Sequence, residues 1–195
     1  VDAISTYPDR DYTKLRKSIC AYTGAQFENI IVGNGSTELI SLFIQTTHPE
    51  KALILGPTYS EYEREIALEG GHTLYYPLKE ENNFQMDVND LCAQMKDGLD
   101  LLVLCNPNNP TGIPVKKEEV KQLADTCERL GAYLAVDECF CDFLDNSELY
   151  SVIPDLARFT HLFVLKAFTK LYAMAGLRLG YGLCSDSGLL ERLQA

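Results

Sequence analysis

The chain has 195 residues, of which 46% are hydrophobic, and 17 lysines and arginines against 28 aspartates and glutamates give it a formal net charge of −11. This composition is that of a globular protein long enough to bury one sizeable core. The acidic balance argues against a general nucleic-acid or anionic-membrane binder, and no apolar run reaches the roughly 18 to 20 residues needed to cross a bilayer.

Apolar residues recur with alternating helical and strand-like spacing along the chain. The helical spacing predicts a helix that ends at Gly24 and further helices at 39–44, 60–69, 87–96 and 116–130. Short continuous apolar runs predict strands at 30–32, 52–55, 73–76, 99–105, 133–136, 162–165 and 177–183. Asp87 is expected to cap its helix at the N-terminus, and Gly131 to end the helix before it.

The alternation of apolar strands with amphipathic helices predicts an α/β fold, with a largely parallel sheet covered by helices on both faces. Residues 1–195 contain no linker, low-complexity stretch or internal repeat, so we expect a single domain. The chain starts at Val1 rather than at a methionine and stops within a predicted helix that begins at Ser187, so we expect a fragment. In such folds ligands bind beyond the carboxyl ends of the strands.

Cysteine and histidine usage favours neither a disulfide framework nor a metal site. The seven cysteines are scattered, odd in number and without a CxxC pair, and the three histidines are dispersed. We therefore expect free thiols, a cytoplasmic location and no bound metal.

The segment 33–38, Gly-Asn-Gly-Ser-Thr-Glu, joins a predicted strand to a predicted helix. Glycines let the backbone approach an anion closely, and a helix N-terminus offers unpaired N–H groups. Because the segment is neither a full GxGxxG motif nor a Walker loop, a structural turn and a phosphate-binding loop are about equally supported.

Polar residues also follow three other predicted strands. Asp137 ends one of them, and a carboxylate there either caps a neighbouring helix or faces a ligand cation. Segment 106–112, NPNNPTG, is too long for a hairpin turn, and its asparagines can bind either the backbone or a ligand. Lys170 lies between apolar segments, an environment that would favour an uncharged, nucleophilic amine.

These features occur with others in a known arrangement. In chain order the motifs are YPD at 7–9, GNGSTE at 33–38, GPTYSEY at 56–62, NPNNPTG at 106–112, VDE at 136–138 and FTKLYAMAGLRLGY at 168–181. On these motifs the sequence resembles the large domain of fold-type I pyridoxal-phosphate (PLP) enzymes. Within them it is similar to the histidinol-phosphate aminotransferase group and its relative, threonine-phosphate decarboxylase. The resemblance covers nearly the whole chain and implies PLP as the cofactor.

The resemblance also implies a role for residues of these motifs. Lys170 would bind PLP covalently as a Schiff base and then carry protons, and Asp137 would pair with the pyridinium nitrogen. Asn109 would hydrogen-bond the ring hydroxyl oxygen, and Tyr59 would stack on the ring. The phosphate would be bound by Gly35, Ser36, Thr37, Thr169, Arg178 and, from the neighbouring subunit of a homodimer, Tyr7.

The sequence departs from the family pattern at two positions. Phe140 stands where most aminotransferases of the group have a tyrosine, whereas phenylalanine is found in relatives resembling the decarboxylase. Ala167 replaces a hydroxyl residue that usually helps to hold the phosphate. In addition, we expect the family's C-terminal domain, whose arginine normally binds the substrate carboxylate, to lie outside residues 1–195.

The leading hypothesis is PLP-dependent transamination between an amino acid or amino-phosphate and a 2-oxo acid. The alternative is decarboxylation of threonine phosphate on the same scaffold, and Phe140 favours it slightly.

A non-catalytic module of this fold is disfavoured by the charge of −11 and the lack of a DNA-binding segment. A nicotinamide-binding domain would need a third glycine and would leave Lys170 unexplained. Expected partners are a small-molecule substrate and a second copy of the chain, with no nucleic acid or membrane.

Overall fold

A computed structural model describes residues 7–194, in which strands and helices alternate as expected. The strands are β1 (Ile30–Gly33), β2 (Lys51–Gly56), β3 (His72–Pro77), β4 (Leu101–Cys105), β5 (Tyr133–Asp137), β6 (Leu162–Ala167) and β7 (Gly180–Cys184). The helices are α1 (Thr13–Thr23), α2 (Ser36–Thr47), α3 (Glu61–Leu68), α4 (Val88–Gln94), α5 (Lys117–Leu130) and α6 (Ser187–Gln194).

The strands form one sheet in the order β1-β7-β6-β5-β4-β2-β3. Strand β7 runs antiparallel to both of its neighbours, and the remaining pairs are parallel. Six strands therefore point the same way, and their carboxyl ends gather at one edge of the sheet. The predicted largely parallel sheet is confirmed.

The two faces of the sheet are covered by different helices. Along β4, Leu102 and Leu104 pack into a cluster with residues of α1, α4 and α5, whereas Leu101 and Val103 pack with residues of α2, α3 and α6. Each large apolar side chain buried in this way contributes about 1.5 to 3 kcal/mol relative to exposure. The expected helices on both faces are confirmed, and the continuous apolar strands are explained by burial on both sides.

The predicted helix ends are also confirmed. The Asp87 side chain accepts hydrogen bonds from the backbone N–H groups of Asn89 and Asp90, at 2.9 and 3.1 Å, and so caps α4. Gly24 and Gly131 follow α1 and α5 with φ angles of 75° and 68°. This left-handed conformation favours glycine, which has no Cβ.

The start of β7 was predicted wrongly. The apolar run at 177–183 favoured a strand, but Ala175–Leu177 forms a single 3-10 turn and β7 begins only at Gly180. Arg178 lies between them with a φ of 50°. This turn directs the Arg178 guanidinium onto the backbone of Gly35, where its Nη2 lies 2.8 Å from the point that a Cβ on Gly35 would occupy.

All seven cysteines lie within residues 7–194 and are free, as expected. In the same part of the chain, no helix combines the length and the apolar composition that crossing a membrane requires.

Candidate active site

A cavity of about 210 Å³ lies where the carboxyl ends of β4, β5 and β6 meet the N-terminus of α2. Segments distant in the sequence contribute its walls, because the parallel strands end at one edge. The residues with an implied role that line it are Ser36, Thr37, Tyr59, Asn109, Asp137, Thr169, Lys170 and Arg178. The structure thus brings together the candidate residues that the resemblance singled out, apart from Gly35, which lies against Arg178, and Tyr7.

The N-terminus of α2 forms one wall. Gly35 precedes the helix with a φ of 88°, and no side chain caps the helix. The first N–H groups of a helix have no partners within it, so those of the first turn, at Ser36 and Thr37, are available to an anion. Glu38 instead closes the preceding turn, because its carboxylate accepts from the backbone and side-chain nitrogens of Asn34 at 2.6 and 2.8 Å.

Arg178 adds a positive charge beside this helix end. Its guanidinium is exposed and lies against Gly35, and its Nη1 donates to the carbonyl oxygen of Ala175 at 3.4 Å. The wall also contains Thr169, with its hydroxyl, and Ala167, without one. The end of the cavity near α2 is therefore suited to a phosphate, with one hydroxyl fewer than the family pattern provides.

Asp137 also lines the cavity and is the last residue of β5. Its side chain is 6% exposed. One carboxylate oxygen accepts from the hydroxyl of Tyr62 at 2.7 Å, and the other accepts from the backbone N–H of Cys139 at 3.0 Å. Both bonds hold the carboxylate in a fixed orientation, and each oxygen keeps a lone pair that can accept from a ligand.

Tyr62 is a site residue that the sequence interpretation missed. It belongs to the GPTYSEY motif, but no role was given to it, because nothing local indicates a bond to a residue 75 positions away. Burial, and then the charge of Asp137, raise the pKa of the Tyr62 hydroxyl well above its ordinary value. The hydroxyl therefore stays protonated and donates. A usable signal was the spacing of four between Tyr62 and Ile66, which places both on the buried side of α3.

Two thiols beside Asp137 stay protonated and unreactive at neutral pH. Cys105 and Cys139 are buried beside Asp137. Burial, with a smaller effect of the carboxylate charge, raises the pKa of the Cys105 thiol to about 12 and that of the Cys139 thiol well above its ordinary value. Since the thiolate is the reactive form, neither cysteine is a nucleophile at neutral pH.

The structure separates the roles of the asparagines in the NPNNPTG segment. Asn106 is buried and exchanges two hydrogen bonds with the backbone of Val115, at 2.9 and 2.8 Å. Asn108 donates to the carbonyl oxygen of Pro57 at 3.0 Å and accepts from the hydroxyl of Thr58 at 2.9 Å. These two residues hold the loop. Asn109 alone of the three lines the cavity.

One expectation for Lys170 is wrong. The apolar neighbours in sequence suggested enclosure, but Lys170 is exposed, and so are Leu171 and Tyr172, at 41% and 45%. The physical reason is that this segment forms turns beyond the end of β6 rather than packing into the core. The Lys170 Nζ lies over the Phe140 ring, 5.5 Å from its centroid, and both residues line the cavity.

Tyr7 is not brought to the cavity. It is 98% exposed and does not contact the residues above. Its implied contact with the phosphate of a neighbouring subunit is therefore untested by one chain and stays a prediction.

The residues present fit PLP. A free helix end with Arg178 beside it suits the phosphate, a fixed carboxylate suits a ring nitrogen that carries a proton, and a lysine lines the same cavity. The Arg178 guanidinium against Gly35, beside the uncapped helix end, favours an anion site over a plain turn.

Comparison with known proteins shows the family of the chain. The model of the family described as aminotransferase class I and II matches residues 2–195. The chain is 36% identical over 194 residues to threonine-phosphate decarboxylase of Salmonella typhimurium, covering 100% of this chain and 52% of that protein. It is also 36% identical over 198 residues to histidinol-phosphate aminotransferase of Desulfitobacterium hafniense, covering 97% of this chain and 53% of that protein.

The crystal structure of histidinol-phosphate aminotransferase from Clostridium acetobutylicum superposes with a TM-score of 0.87 at 31% identity. The match covers 97% of this chain and 55% of that one. The chain thus spans about half the length of the relatives that it matches.

Proposed function

Because the chain belongs to the aminotransferase class I and II family, whose cofactor is PLP, we propose that it is the cofactor-binding part of a PLP-dependent aminotransferase. The enzyme moves an amino group between an amino acid or amino-phosphate and a 2-oxo acid. The observation that carries this proposal is that Lys170, Asp137 and Arg178 line one cavity with the N-terminus of α2. The free cysteines support a reducing, cytoplasmic location.

The phosphate is bound at the α2 end of the cavity. The N–H groups of Ser36 and Thr37 and the hydroxyl of Thr169 donate to it, and Arg178 supplies a charged, forked donor. Because Gly35 has no side chain, the Arg178 guanidinium can lie against its backbone. These residues would hold the phosphate end of the cofactor.

Three other residues of the cavity are proposed to bind and orient the pyridine ring of the cofactor. Asp137 holds a proton on the pyridine nitrogen by charge pairing, Asn109 donates to the ring hydroxyl oxygen and Tyr59 covers a ring face. When bound, PLP supplies the electron sink for bonds at the substrate α-carbon. Lys170 would hold the cofactor covalently, and its amine would carry protons to and from that carbon.

Decarboxylation of threonine phosphate is a second candidate. Phe140 lines the cavity 5.5 Å from the Lys170 Nζ and cannot donate the hydrogen bond of the tyrosine that most aminotransferases carry there. The chain is 36 to 39% identical to relatives named threonine-phosphate decarboxylase and 30 to 38% identical to relatives named histidinol-phosphate aminotransferase. Both reactions use the residues described here and differ in which bond of the α-carbon is broken.

Reduction with borohydride should fix the cofactor on Lys170. In the full-length protein with PLP, we expect peptide mapping to find the pyridoxyl group on Lys170, since its amine lies in the cavity with Asp137 and Arg178. Lys170→Ala should abolish the adduct, whereas Lys79→Ala, which removes an exposed lysine, should leave it unchanged. An adduct on Lys166 would contradict the assignment.

Two substrates distinguish the candidate reactions. With histidinol phosphate and a 2-oxo acid, the proposed aminotransferase forms a new amino acid and releases no CO₂. With threonine phosphate, a decarboxylase releases CO₂ and leaves a phosphorylated amino alcohol. Release of CO₂ without consumption of the 2-oxo acid would replace the first proposal by the second.

The proposal includes a homodimer in which Tyr7 reaches the phosphate bound by the neighbouring subunit. The full exposure of Tyr7 supports an outward contact. Because a hydrogen bond to a charged group contributes about 1.5 to 3 kcal/mol, Tyr7→Phe should raise the PLP dissociation constant by roughly tenfold to a hundredfold. Tyr12→Phe, a change at another exposed tyrosine, is the matched control. Unchanged affinity in the Tyr7 variant, measured on a dimer, would exclude the contact.

A further inference from the structure

A second charged cluster lies directly behind the cavity and is not used by the chemistry above. Lys166, on β6, is 3% exposed. Its Nζ lies 2.8 Å from a carboxylate oxygen of Asp142 and 3.8 Å from one of Glu138. Such a buried lysine is costly unless its charge is paired. Burial alone would lower the pKa of Lys166, but the two carboxylates raise it, so the side chain stays charged.

Glu138 ties this cluster to the strand end that carries Asp137. Successive residues of a strand point to opposite faces, so Asp137 faces the cavity and Tyr62 while Glu138 faces Lys166. The Glu138 carboxylate also accepts from the Ser151 hydroxyl at 2.7 Å and from the Val152 N–H at 2.8 Å. These two hydrogen bonds hold the Glu138 carboxylate on the side of the strand that faces away from the cavity.

Asp142 fixes the other end of the same short segment. Between Glu138 and Asp142 lies Phe140, whose ring lines the cavity below Lys170. The N–H of Cys141 donates to the carbonyl oxygen of Glu138 at 3.0 Å, which bends the segment into a tight turn. One lysine therefore pairs with both ends of the turn that presents Phe140 to the cavity.

We infer that Lys166 is a positioning residue: by pairing with Glu138 and Asp142 it holds the turn at 137–142, and so sets how Asp137 and Phe140 meet the PLP ring. The inference rests on the proposed function, since the ring is that of the proposed cofactor. Lys166 does not itself line the cavity and is not a catalytic residue.

The test compares Lys166→Met with Lys166→Arg in the full-length protein. Methionine keeps the apolar stem and removes the charge. Arginine keeps the charge, and a second cavity of about 210 Å³ beside Lys166, lined by Tyr22, Asp142, Tyr172 and Tyr181 among others, gives the guanidinium room. If Lys166 only stabilises the fold, its replacement lowers the free energy of unfolding and leaves the folded site unchanged. If Lys166 positions the turn, its replacement also changes the turn at 137–142 and the binding of the PLP ring in the fully folded protein.

Two measurements at a temperature where all variants are folded separate these cases. Without PLP, amide hydrogen exchange over 137–144 should accelerate at least tenfold in Lys166→Met, with exchange in α5 unchanged. With PLP, the induced circular dichroism of its visible band should fall by at least half and the dissociation constant should rise about tenfold. Lys166→Arg should restore all three quantities to within twofold.

Unchanged exchange and circular dichroism in Lys166→Met overturn the inference, while an adduct on Lys170 leaves the proposed function intact. If Lys166→Met does not fold, Asp142→Asn replaces it, because the Asp142 side chain is 20% exposed and tolerates the change. At least a twofold shift in the same directions is then expected, and no shift overturns the inference. A wild-type protein that takes up no PLP overturns both proposals.

Discussion

Asp137→Asn should slow turnover of the full-length enzyme by roughly a thousandfold while leaving the fold intact. A carboxylate about 4 Å from a pyridinium charge, at the effective dielectric constant of a partly buried site, contributes about 4 kcal/mol, and each 1.36 kcal/mol is a factor of ten in rate. Without that charge the ring nitrogen loses its proton, and the ring no longer withdraws electrons effectively from the substrate.

The fold should tolerate this change because the hydrogen bonds around Asp137 can be kept. The asparagine oxygen can accept from the Cys139 N–H, and its NH₂ group can donate to the Tyr62 oxygen, which is both donor and acceptor. PLP content, read from visible absorbance, should therefore fall much less than turnover. This difference distinguishes loss of the electronic effect from loss of binding.

Asp125→Asn is the matched control for the same chemical change. Asp125 pairs with Arg158 on the surface, where both side chains are about half exposed, and such pairs contribute little. Its turnover should equal that of the wild type. If Asp137→Asn also turned over at a near-normal rate, Asp137 would be only a structural cap of the turn that follows β5.

The sequence was informative where function depends on the position of a residue within its own element. Asp137 and the segment at 106–112 were identified because polar residues at the ends of apolar strands must lie at the same edge of a parallel sheet. The ends of α1, α4 and α5 were predicted because capping by Asp87, Gly24 and Gly131 is a local property of the backbone.

The sequence was uninformative where function depends on which elements become neighbours. Tyr62 and Asp137 are 75 residues apart, and Lys166 and Glu138 are 28 apart. Their contacts follow from the order of β4, β5 and β6 and from the packing of α3, which periodicity does not reveal. Lys166 received no role from the sequence, because its buried partners are carboxylates from another segment.

The segment at 168–179 shows a third case, in which apolar residues do not mark an element at all. Leu171, Tyr172 and Leu177 are exposed, although their character suggested enclosure of Lys170 and an early start of β7. These residues instead form the turns between β6 and β7, which place Arg178 against Gly35.

Gly180→Ala should lower the free energy of unfolding by about 1 to 3 kcal/mol, the usual cost of overpacking a tight interior, and should also weaken PLP binding. A Cβ at Gly180 would lie 2.7 Å from the carbonyl carbon of Gly35 and from the nitrogen of Ser36, and 3.0 Å from the carbonyl oxygen of Lys166. All three are backbone atoms, so no side chain can move aside, and β7 must separate from the loop that leads into α2.

That separation moves the N–H groups proposed to bind the phosphate, so the PLP dissociation constant should rise by roughly a hundredfold, equivalent to about 3 kcal/mol. Gly176→Ala is the matched control in the same motif, because a Cβ there meets nothing within 4 Å. It should leave both quantities unchanged or slightly raise stability. Denaturant unfolding and PLP titration of the full-length variants measure the two effects separately. A Gly180→Ala protein that loses stability but binds PLP normally would show that the loop at 33–38 is a structural turn and that the phosphate is bound elsewhere.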